Sequence, residues 1–273
     1  MKIGALSWSG NNIGDDIQTA AVIQHLPPID VFIHRDHLNT YDGPETLLVL
    51  NGWFLDETEN WPPSDRIKPI FFGFHVQKRA RANVARHAEY LKRHEPIGCR
   101  DPGTTEFIRS LGVDAYLSYC ATLTFNAPAQ RNPDSIYFVE ANSGPFGDIK
   151  SSKGLKIKNV SHRFIDVPWE NRLSYAKGVV ETYGRLAKYV VTSRIHCAMP
   201  CVAMGIPTAF VGPDNYRTRI IDEVGIPRLN KPSFWNKIFA GKVANLPQLV
   251  DISATKSRIT TDLTARIERA LKQ

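Results

Sequence analysis

Residues 190–207 read VVTSRIHCAMPCVAMGIP, and this stretch decides the fold. An apolar run ends in Thr192 and Ser193, and a segment of small and apolar residues follows directly. The first part predicts a buried strand and the second a buried helix, as in a parallel α/β sheet. Pro200 has no backbone N–H and clashes with the carbonyl four residues before it, so we expect it in the first turn. The helix is therefore predicted to begin close to His196.

The same alternation of strands and helices extends in both directions. Apolar runs predict strands at Ile3–Trp8, Val31–His34, Leu47–Leu50, Pro69–Phe74, Ile97–Cys99, Ala115–Tyr119, Ile136–Ala141, Arg163–Val167, Tyr189–Thr192 and Thr208–Val211. Amphipathic spacing predicts helices that include Ala80–His94, Thr104–Leu111, Trp169–Ala187, Tyr216–Val224 and Ala254–Leu271. This alternation indicates an α/β fold with parallel sheets that are covered on both faces.

A break in composition divides the chain into two halves. Residues 126–133 hold two prolines and no apolar period, which is typical of a linker. We predict an N-terminal Rossmann-like lobe over 1–125, a C-terminal Rossmann-like lobe over 126–252 and a terminal helix over 253–273. Two such lobes predict a central cleft, and ligands of open α/β sheets bind at the carboxyl ends of strands.

The chain is basic, with a formal net charge of +7 from 34 Lys and Arg against 27 Asp and Glu. The basic residues are scattered, and no basic stripe alternates with aromatic residues, so nucleic-acid binding is disfavoured. The excess charge favours either anionic substrates or an acidic membrane surface, and a plain solubility bias explains it equally well.

The cysteines lack CxxC and zinc-ligand spacings; they are Cys99, Cys120, Cys197 and Cys201. We expect buried, reduced thiols, with no metal site and no cofactor apart from a substrate. The sequence enters its first strand without a secretory leader pattern. Its apolar runs are also shorter than the ~20 residues of a membrane helix. The protein is therefore predicted to be cytoplasmic.

The loop after the first predicted strand opens a helix and carries Asn12, Gly14, Asp15 and Asp16. Glycine lets backbone amides approach a ligand, and a helix N-terminus favours negative charge. One of the two aspartates is expected to stabilise the helix N-terminus. The other can face the cleft as a base or as the acceptor of a sugar hydroxyl.

Two further loops follow strands of the first half. Asn51 can bond a hydroxyl group, Gly52 permits close approach of a ligand, and Trp53 can stack on a sugar. A plain turn with a core aromatic residue is the alternative here. In the next loop Arg100 is placed to meet an anion, and Asp101 can orient it. The alternative in that loop is a local surface ion pair.

The loop within residues 190–207 is the most specific of the four. Ser193, Arg194 and His196 surround the predicted helix N-terminus, where free amides form a natural site for phosphate or carboxylate. Arginine offers a planar fork that matches either group, and histidine exchanges a proton near neutral pH.

Three motifs resemble those of the polysaccharide pyruvyltransferases: Asn12–Asp16, Arg100-Asp101 followed by Thr104-Thr105, and Thr192–His196 with Gly205–Pro207. The resemblance in order and spacing extends from the first loop to Val211. It implies a glycosyltransferase-B-like fold of two Rossmann-like lobes with a deep cleft. It also implies transfer of the enolpyruvyl carbons of phosphoenolpyruvate onto two hydroxyls of a saccharide. The products would be a cyclic ketal and phosphate, in exopolysaccharide, capsule or cell-wall synthesis.

This chemistry assigns roles to the candidate residues. The expected catalytic residues are His196 as general acid, Arg194, and either Asp15 or Asp16 as base. The expected donor-binding residues are Arg100, Thr192, Ser193, Arg194 and Ile195. The expected acceptor-binding residues are Asn12, Gly14, Asn51, Gly52 and Trp53. The partners would be phosphoenolpyruvate and a saccharide or lipid-linked saccharide, with peripheral membrane contact as an option.

Two other functions remain open from the residues alone. A glycosyltransferase that uses a nucleotide sugar would need the same phosphate-binding loop and a carboxylate for the ribose. Glu181 lies in the middle of a predicted helix, and Asp214 is the other acidic option. A non-catalytic protein that binds sugar or phosphate is the third function.

Overall fold

The structure is a computed structural model that describes residues 1–54, 58–141, 154–163, 167–229 and 247–272. Within it the chain forms two compact units. The first comprises Met1–Gly10, Gln18–Ala121 and Ser257–Gln273, and the second comprises Asn11–Ile17 and Thr122–Lys256. The short segment Asn11–Ile17 thus belongs to the second unit, although it precedes most of the first unit in the chain.

The strands of the described residues are β1 Lys2–Ser7, β2 Val31–His34, β3 Thr46–Leu50, β4 Ile67–Phe71, β5 Ile97–Cys99, β6 Ala115–Leu117, β7 Ser135–Val139, β8 Lys156–Val160, β9 Ala187–Thr192 and β10 Thr208–Phe210. The α-helices are α1 Gly14–Ile23, α2 Arg81–Arg86, α3 Ala88–Lys92, α4 Pro102–Ser110, α5 Trp169–Leu186, α6 Ile195–Ala203, α7 Arg219–Glu223 and α8 Ser253–Leu271. Among the residues that the structure describes, no helix is both long enough and apolar enough to span a membrane.

The first unit is built on parallel strands in the order β2-β1-β3-β4, with β5 and β6 paired beside them. A parallel bridge between Phe74 and Cys99 joins β5 to the chain that leaves β4. All five residues of β3 are buried, because this strand lies inside the sheet and is covered on both faces. The loops after β3 and β4 leave the carboxyl edge of the four-stranded sheet, and the bridge between Phe74 and Cys99 places the loop after β5 next to the segment that follows β4.

The second unit has a parallel sheet in the order β10-β9-β7-β8. The strand predicted at Arg163–Val167 falls mostly outside the described residues, which omit 164–166, and the sequence analysis did not predict the strand at Lys156–Val160. In the described sheet β8 pairs on one side only, and its alternation of lysines with apolar residues gives a half-exposed pattern. The polar stretch predicted at 142–154 falls almost entirely outside the described residues.

Three helix predictions need correction. The helix predicted at Ala80–His94 is two helices, because His87 has φ −112° and ψ 29° and its ring Nδ1 bonds the Asn83 carbonyl. The helix predicted at Tyr216–Val224 begins with a 3-10 turn, Tyr216–Thr218, before α7. Helix α6 begins at Ile195, so Pro200 lies in its second turn and not in its first.

Candidate active site

The carboxyl ends of β7 and β9 lie side by side in the second unit and carry the most specific predicted loop. The Thr192 hydroxyl donates to the Val139 carbonyl at 3.0 Å and accepts the amide of Arg194 at 2.9 Å. The Ser193 hydroxyl donates to the Glu140 carbonyl at 2.8 Å. Both hydroxyls therefore fix the loop to the neighbouring strand and shape the entry into α6.

Arg194 is the residue that precedes α6, and its guanidinium reaches back to the loop after β7. Its Nη2 lies 3.1 Å from Glu140 Oε2, while its buried Nε has no hydrogen-bond acceptor among the described residues. The Ser161 hydroxyl donates to the other oxygen of Glu140 at 2.6 Å. Burial raises the pKa of Glu140, but the hydrogen bonds from Ser161 and Arg194 outweigh burial and leave the pKa below its ordinary value.

His196 is the second residue of α6 and is 8% exposed. Its ring lies against the backbone of Gly14, since a Cβ built on that glycine would be 3.1 Å from His196 Nδ1. The side-chain oxygen of Asn12 accepts the Gly14 amide at 3.2 Å. Asn12, Gly14 and His196, which are far apart in sequence, are therefore brought together within the second unit.

The segment Asn11–Ile17 is held by contacts with the second unit. The Ile13 amide donates to the His162 carbonyl at 3.0 Å. The Asp16 carboxylate pairs with the buried Arg172 of α5, with Oδ2 2.9 Å from Nη2 and Oδ1 3.4 Å from Nε. Burial raises the pKa of Asp16 above its ordinary value, although the hydrogen bond and charge of Arg172 oppose that rise.

This geometry favours an anchoring role for Asp16 over a role as base, because both of its oxygens are engaged by Arg172. Asp15 lies beside it, half-buried in the first turn of α1. Ile195, the first residue of α6, has a buried side chain, so only its backbone amide is suited to ligand binding. The Cys197 and Ala198 amides already donate to the Arg194 carbonyl, so a ligand at this helix N-terminus would meet the amides that precede them.

The remaining candidates lie in the first unit. Arg100 follows β5 and is 1% exposed, and within the described part of the chain its Nε and Nη2 lack a hydrogen-bond acceptor. Its Nε lies 3.8 Å from Asp101 Oδ2. A buried guanidinium with unused N–H groups is costly unless an anion or water meets it.

His75, which the sequence analysis did not identify as a site residue, lies beside Asp101, the residue that follows Arg100. His75 Nδ1 is 2.6 Å from Asp101 Oδ2, and Asp101 Oδ1 accepts the Thr104 amide at 3.0 Å as the N-cap of α4. Burial raises the pKa of Asp101, but His75, Arg100 and the Thr104 amide outweigh burial and lower it. The available signal for His75 was its position just after an apolar run, at the carboxyl end of a strand.

The side chains of Asn51 and Trp53 make contacts with other residues of the first unit. Asn51 is 2% exposed, and its side-chain oxygen accepts the Ala121 amide at 3.3 Å. Gly73 has φ +71°, and a Cβ there would fall 2.1 Å from that same oxygen. Gly52 has φ +148°. The Trp53 ring lies 5.2 Å from the Arg79 guanidinium. These contacts favour a structural role for Asn51 and a cation–π role for Trp53.

All four cysteines are buried free thiols. Across the described ranges, no three His, Cys, Asp or Glu side chains are grouped as a metal site.

Solved structures share this fold at low sequence identity. A functionally uncharacterised protein from Klebsiella pneumoniae subsp. pneumoniae NTUH-K2044 matches with 12% identity and a TM-score of 0.53, over 84% of this chain and 93% of that chain. A UDP-N-acetylglucosamine 2-epimerase matches with 10% identity and a TM-score of 0.55, over 99% of this chain and 95% of that chain. These matches confirm the predicted α/β fold class, which is glycosyltransferase-B-like. A search of curated proteins gave no match.

The family comparison covers the motifs described above. The model of the polysaccharide pyruvyl transferase family matches residues 12–215, which is more than half of the 273-residue chain. The matched region begins at Asn12 and includes Arg100, Arg194 and His196. The chain therefore belongs to the polysaccharide pyruvyl transferase family.

Proposed function

We propose that this protein transfers the pyruvyl group of phosphoenolpyruvate onto two hydroxyls of a saccharide, forming a cyclic ketal and releasing phosphate. The family gives the coarser activity, a transferase for pyruvyl groups in polysaccharide synthesis. The observation that carries the finer proposal is the placement of Arg194 and His196 at the N-terminus of α6.

Donor binding follows from the charge of the ligand. Phosphoenolpyruvate carries a phosphate and a carboxylate, so its site needs fixed positive charge and N–H donors. Arg194 supplies a guanidinium whose Nε lacks an acceptor in the described structure, and the adjoining first turn of α6 supplies backbone amides. The role of Arg100 as a second donor-binding cation stays a prediction, supported by its buried and unused N–H groups.

Catalysis requires a proton at C3 of the donor. We assign His196 as the general acid that gives this proton, which leaves C2 electron-poor and open to attack by an acceptor hydroxyl. That hydroxyl loses its proton to a base, and a ketal phosphate forms. The C2–O bond to phosphate then breaks, assisted by Arg194 and the helix amides, and the phosphate takes the proton that the base had accepted. A second hydroxyl of the acceptor attacks C2, closes the ring and returns a proton to His196.

Further parts of the proposal concern the partners. We propose a saccharide or lipid-linked saccharide as acceptor, and phosphoenolpyruvate as the one small-molecule donor, with no additional cofactor. The likeness to the epimerase shows the fold alone and does not favour a nucleotide-sugar donor.

The test combines phosphate release with product analysis. Purified protein is incubated with phosphoenolpyruvate and a panel of oligosaccharides, and the ketal methyl group is sought by NMR. We expect His196→Ala to lower turnover by roughly 10²–10⁴-fold. Arg194→Lys should weaken phosphoenolpyruvate binding, because a point charge does not replace the planar fork.

Glu181→Gln is the matched control, because it alters an exposed carboxylate of the same unit whose partner is Arg185 on the surface of α5. Near-normal turnover in a folded His196→Ala protein would contradict the acid role. Absence of both phosphoenolpyruvate binding and phosphate release in the wild type would contradict the proposed function as a whole.

A further inference from the structure

We propose that Glu140 is a positioning residue that holds the Arg194 guanidinium ready for an anionic donor, and that its unfavourable backbone conformation is retained for this role. The inference rests on the proposed function in so far as the anion is phosphoenolpyruvate. Glu140 was expected to lie inside a strand over Ile136–Ala141, but β7 ends at Val139.

The backbone of Glu140 adopts a conformation that is rare for its residue type. Its φ is +51°, in the left-handed region that glycine enters far more easily than residues with a side chain. Non-glycine residues held in this region gather at functional sites, where the surrounding contacts maintain the strain. Glycine would adopt this backbone conformation with less strain. We therefore infer that glutamate is retained here for the contacts that its side chain makes.

The contacts of Glu140 show what its side chain does. Its amide donates to the Val160 carbonyl at 3.1 Å, and its carbonyl accepts the Ser193 hydroxyl at 2.8 Å. One carboxylate oxygen accepts the Ser161 hydroxyl at 2.6 Å, and the other lies 3.1 Å from Arg194 Nη2. Glu140 is thus fixed to residues that follow or end β8 and β9, and its carboxylate is aimed at the guanidinium.

A stabilising role alone does not account for this arrangement. The Arg194 and Glu140 side chains are 26% and 21% exposed, and ion pairs with this access to water contribute little to stability. The pair does, however, restrain a long and flexible side chain. It uses Nη2 and leaves the buried Nε of Arg194 without an acceptor among the described residues, so that N–H is left for a ligand oxygen.

The experiment compares Glu140→Gly and Glu140→Gln with the wild type. Glycine relieves the left-handed strain, so we expect the melting temperature to stay the same or rise by roughly 1–3 °C. The affinity for phosphoenolpyruvate, measured by calorimetry, should nevertheless fall about tenfold, because the guanidinium is no longer restrained. Glu140→Gln keeps the shape of the side chain but removes its charge. Glu140→Asp keeps a carboxylate, so it should recover part of the affinity for phosphoenolpyruvate that Glu140→Gly loses.

A second readout does not depend on any ligand. The Nε–H signal of Arg194 is assigned by its loss in Arg194→Lys, and its NMR shift is compared between the wild type and Glu140→Gln. We expect the signal to move in Glu140→Gln and to stay in place in the control Glu181→Gln, whose carboxylate is 3.8 Å from Arg185.

Unchanged affinity in Glu140→Gly together with an unchanged Arg194 signal in Glu140→Gln would overturn the inference. If the wild type itself does not bind phosphoenolpyruvate, the proposed function fails, and the NMR comparison alone then decides whether Glu140 positions Arg194. If Glu140→Gly does not fold, the strain argument is wrong and the retained-strain part of the inference falls.

Discussion

At the scale of single residues, the space beside the His196 imidazole is limited by Gly14. A Cβ at position 14 would lie 3.1 Å from His196 Nδ1 and 3.3 Å from the Asn12 amide group, tighter than most real contacts. One of these side chains must therefore move by a few tenths of an ångström if the glycine is replaced. Reactions that need a proton at one carbon are sensitive to such displacements.

We therefore expect Gly14→Ala to lower kcat by roughly 10-fold or more. The rise in KM for phosphoenolpyruvate should be smaller than this loss of kcat. Steady-state kinetics together with a thermal melt provide the measurement. Gly178→Ala is the control, because nothing lies within 4 Å of a Cβ there and alanine is favoured over glycine in a helix. Equal losses of kcat in the two variants would refute a specific role for Gly14.

The Asp101 carboxylate leads to a prediction, also at the residue scale, of how the stability of the folded protein changes at acid pH. Its folded-state pKa lies below its ordinary value of 3.8, so its contacts stabilise the folded protein most when the carboxylate is charged. This contribution is complete above the unfolded pKa and is lost as the pH falls through the lower folded pKa.

Urea unfolding of the wild type and Asp101→Asn between pH 7 and pH 3 tests this behaviour. The difference in unfolding free energy between the two proteins should be constant down to about pH 5 and should shrink below about pH 4. A difference that grows toward acid pH would show that the sign of the pKa shift is wrong.

At the scale of elements, one buried ion pair ties the first turn of α1 to α5. The Asp16 and Arg172 side chains are 8% and 7% exposed and share two contacts, of 2.9 and 3.4 Å. Breaking a buried pair from one side leaves an uncompensated charge, which is far more costly than losing a surface pair.

Arg172→Met should therefore lower the free energy of unfolding by about 3–5 kcal/mol. Arg185→Met, which removes a surface partner on the same helix, should cost less than about 1 kcal/mol. Urea unfolding measures both values. The double variant Asp16→Asn with Arg172→Met should recover part of the loss, and failure to recover any of it would show that charge burial is not the cause.

The elements also show what could be predicted from the sequence. Strongly apolar runs such as β3 and β9 were predicted correctly, because burial on both faces leaves a clear pattern. The alternating lysines of β8 gave no such pattern. Likewise the loop before α6 follows from local rules of strand ends and helix starts. The pairing of Asp16 with Arg172 does not follow from local rules, because these residues are 156 positions apart in the sequence.

At the scale of the whole molecule, a bound donor should raise the melting temperature. A ligand at 100 times its Kd stabilises the folded state by about 2.7 kcal/mol, which is roughly 5–10 °C for a chain of this size. We expect phosphoenolpyruvate to produce this shift and UDP-N-acetylglucosamine to produce none. Arg194→Lys should reduce the shift, and a larger shift with the nucleotide sugar would favour a glycosyltransferase.

The second unit is assembled from two distant stretches of chain, and this has a consequence for dissecting the protein. A fragment that starts at Thr122 would carry Arg172 without its counter-ion and the His162 carbonyl without the Ile13 amide. Such a fragment needs a peptide of residues 11–17, supplied separately or spliced on, to complete its interior. During synthesis on the ribosome, the same early residues must wait for more than a hundred later ones before their partners exist.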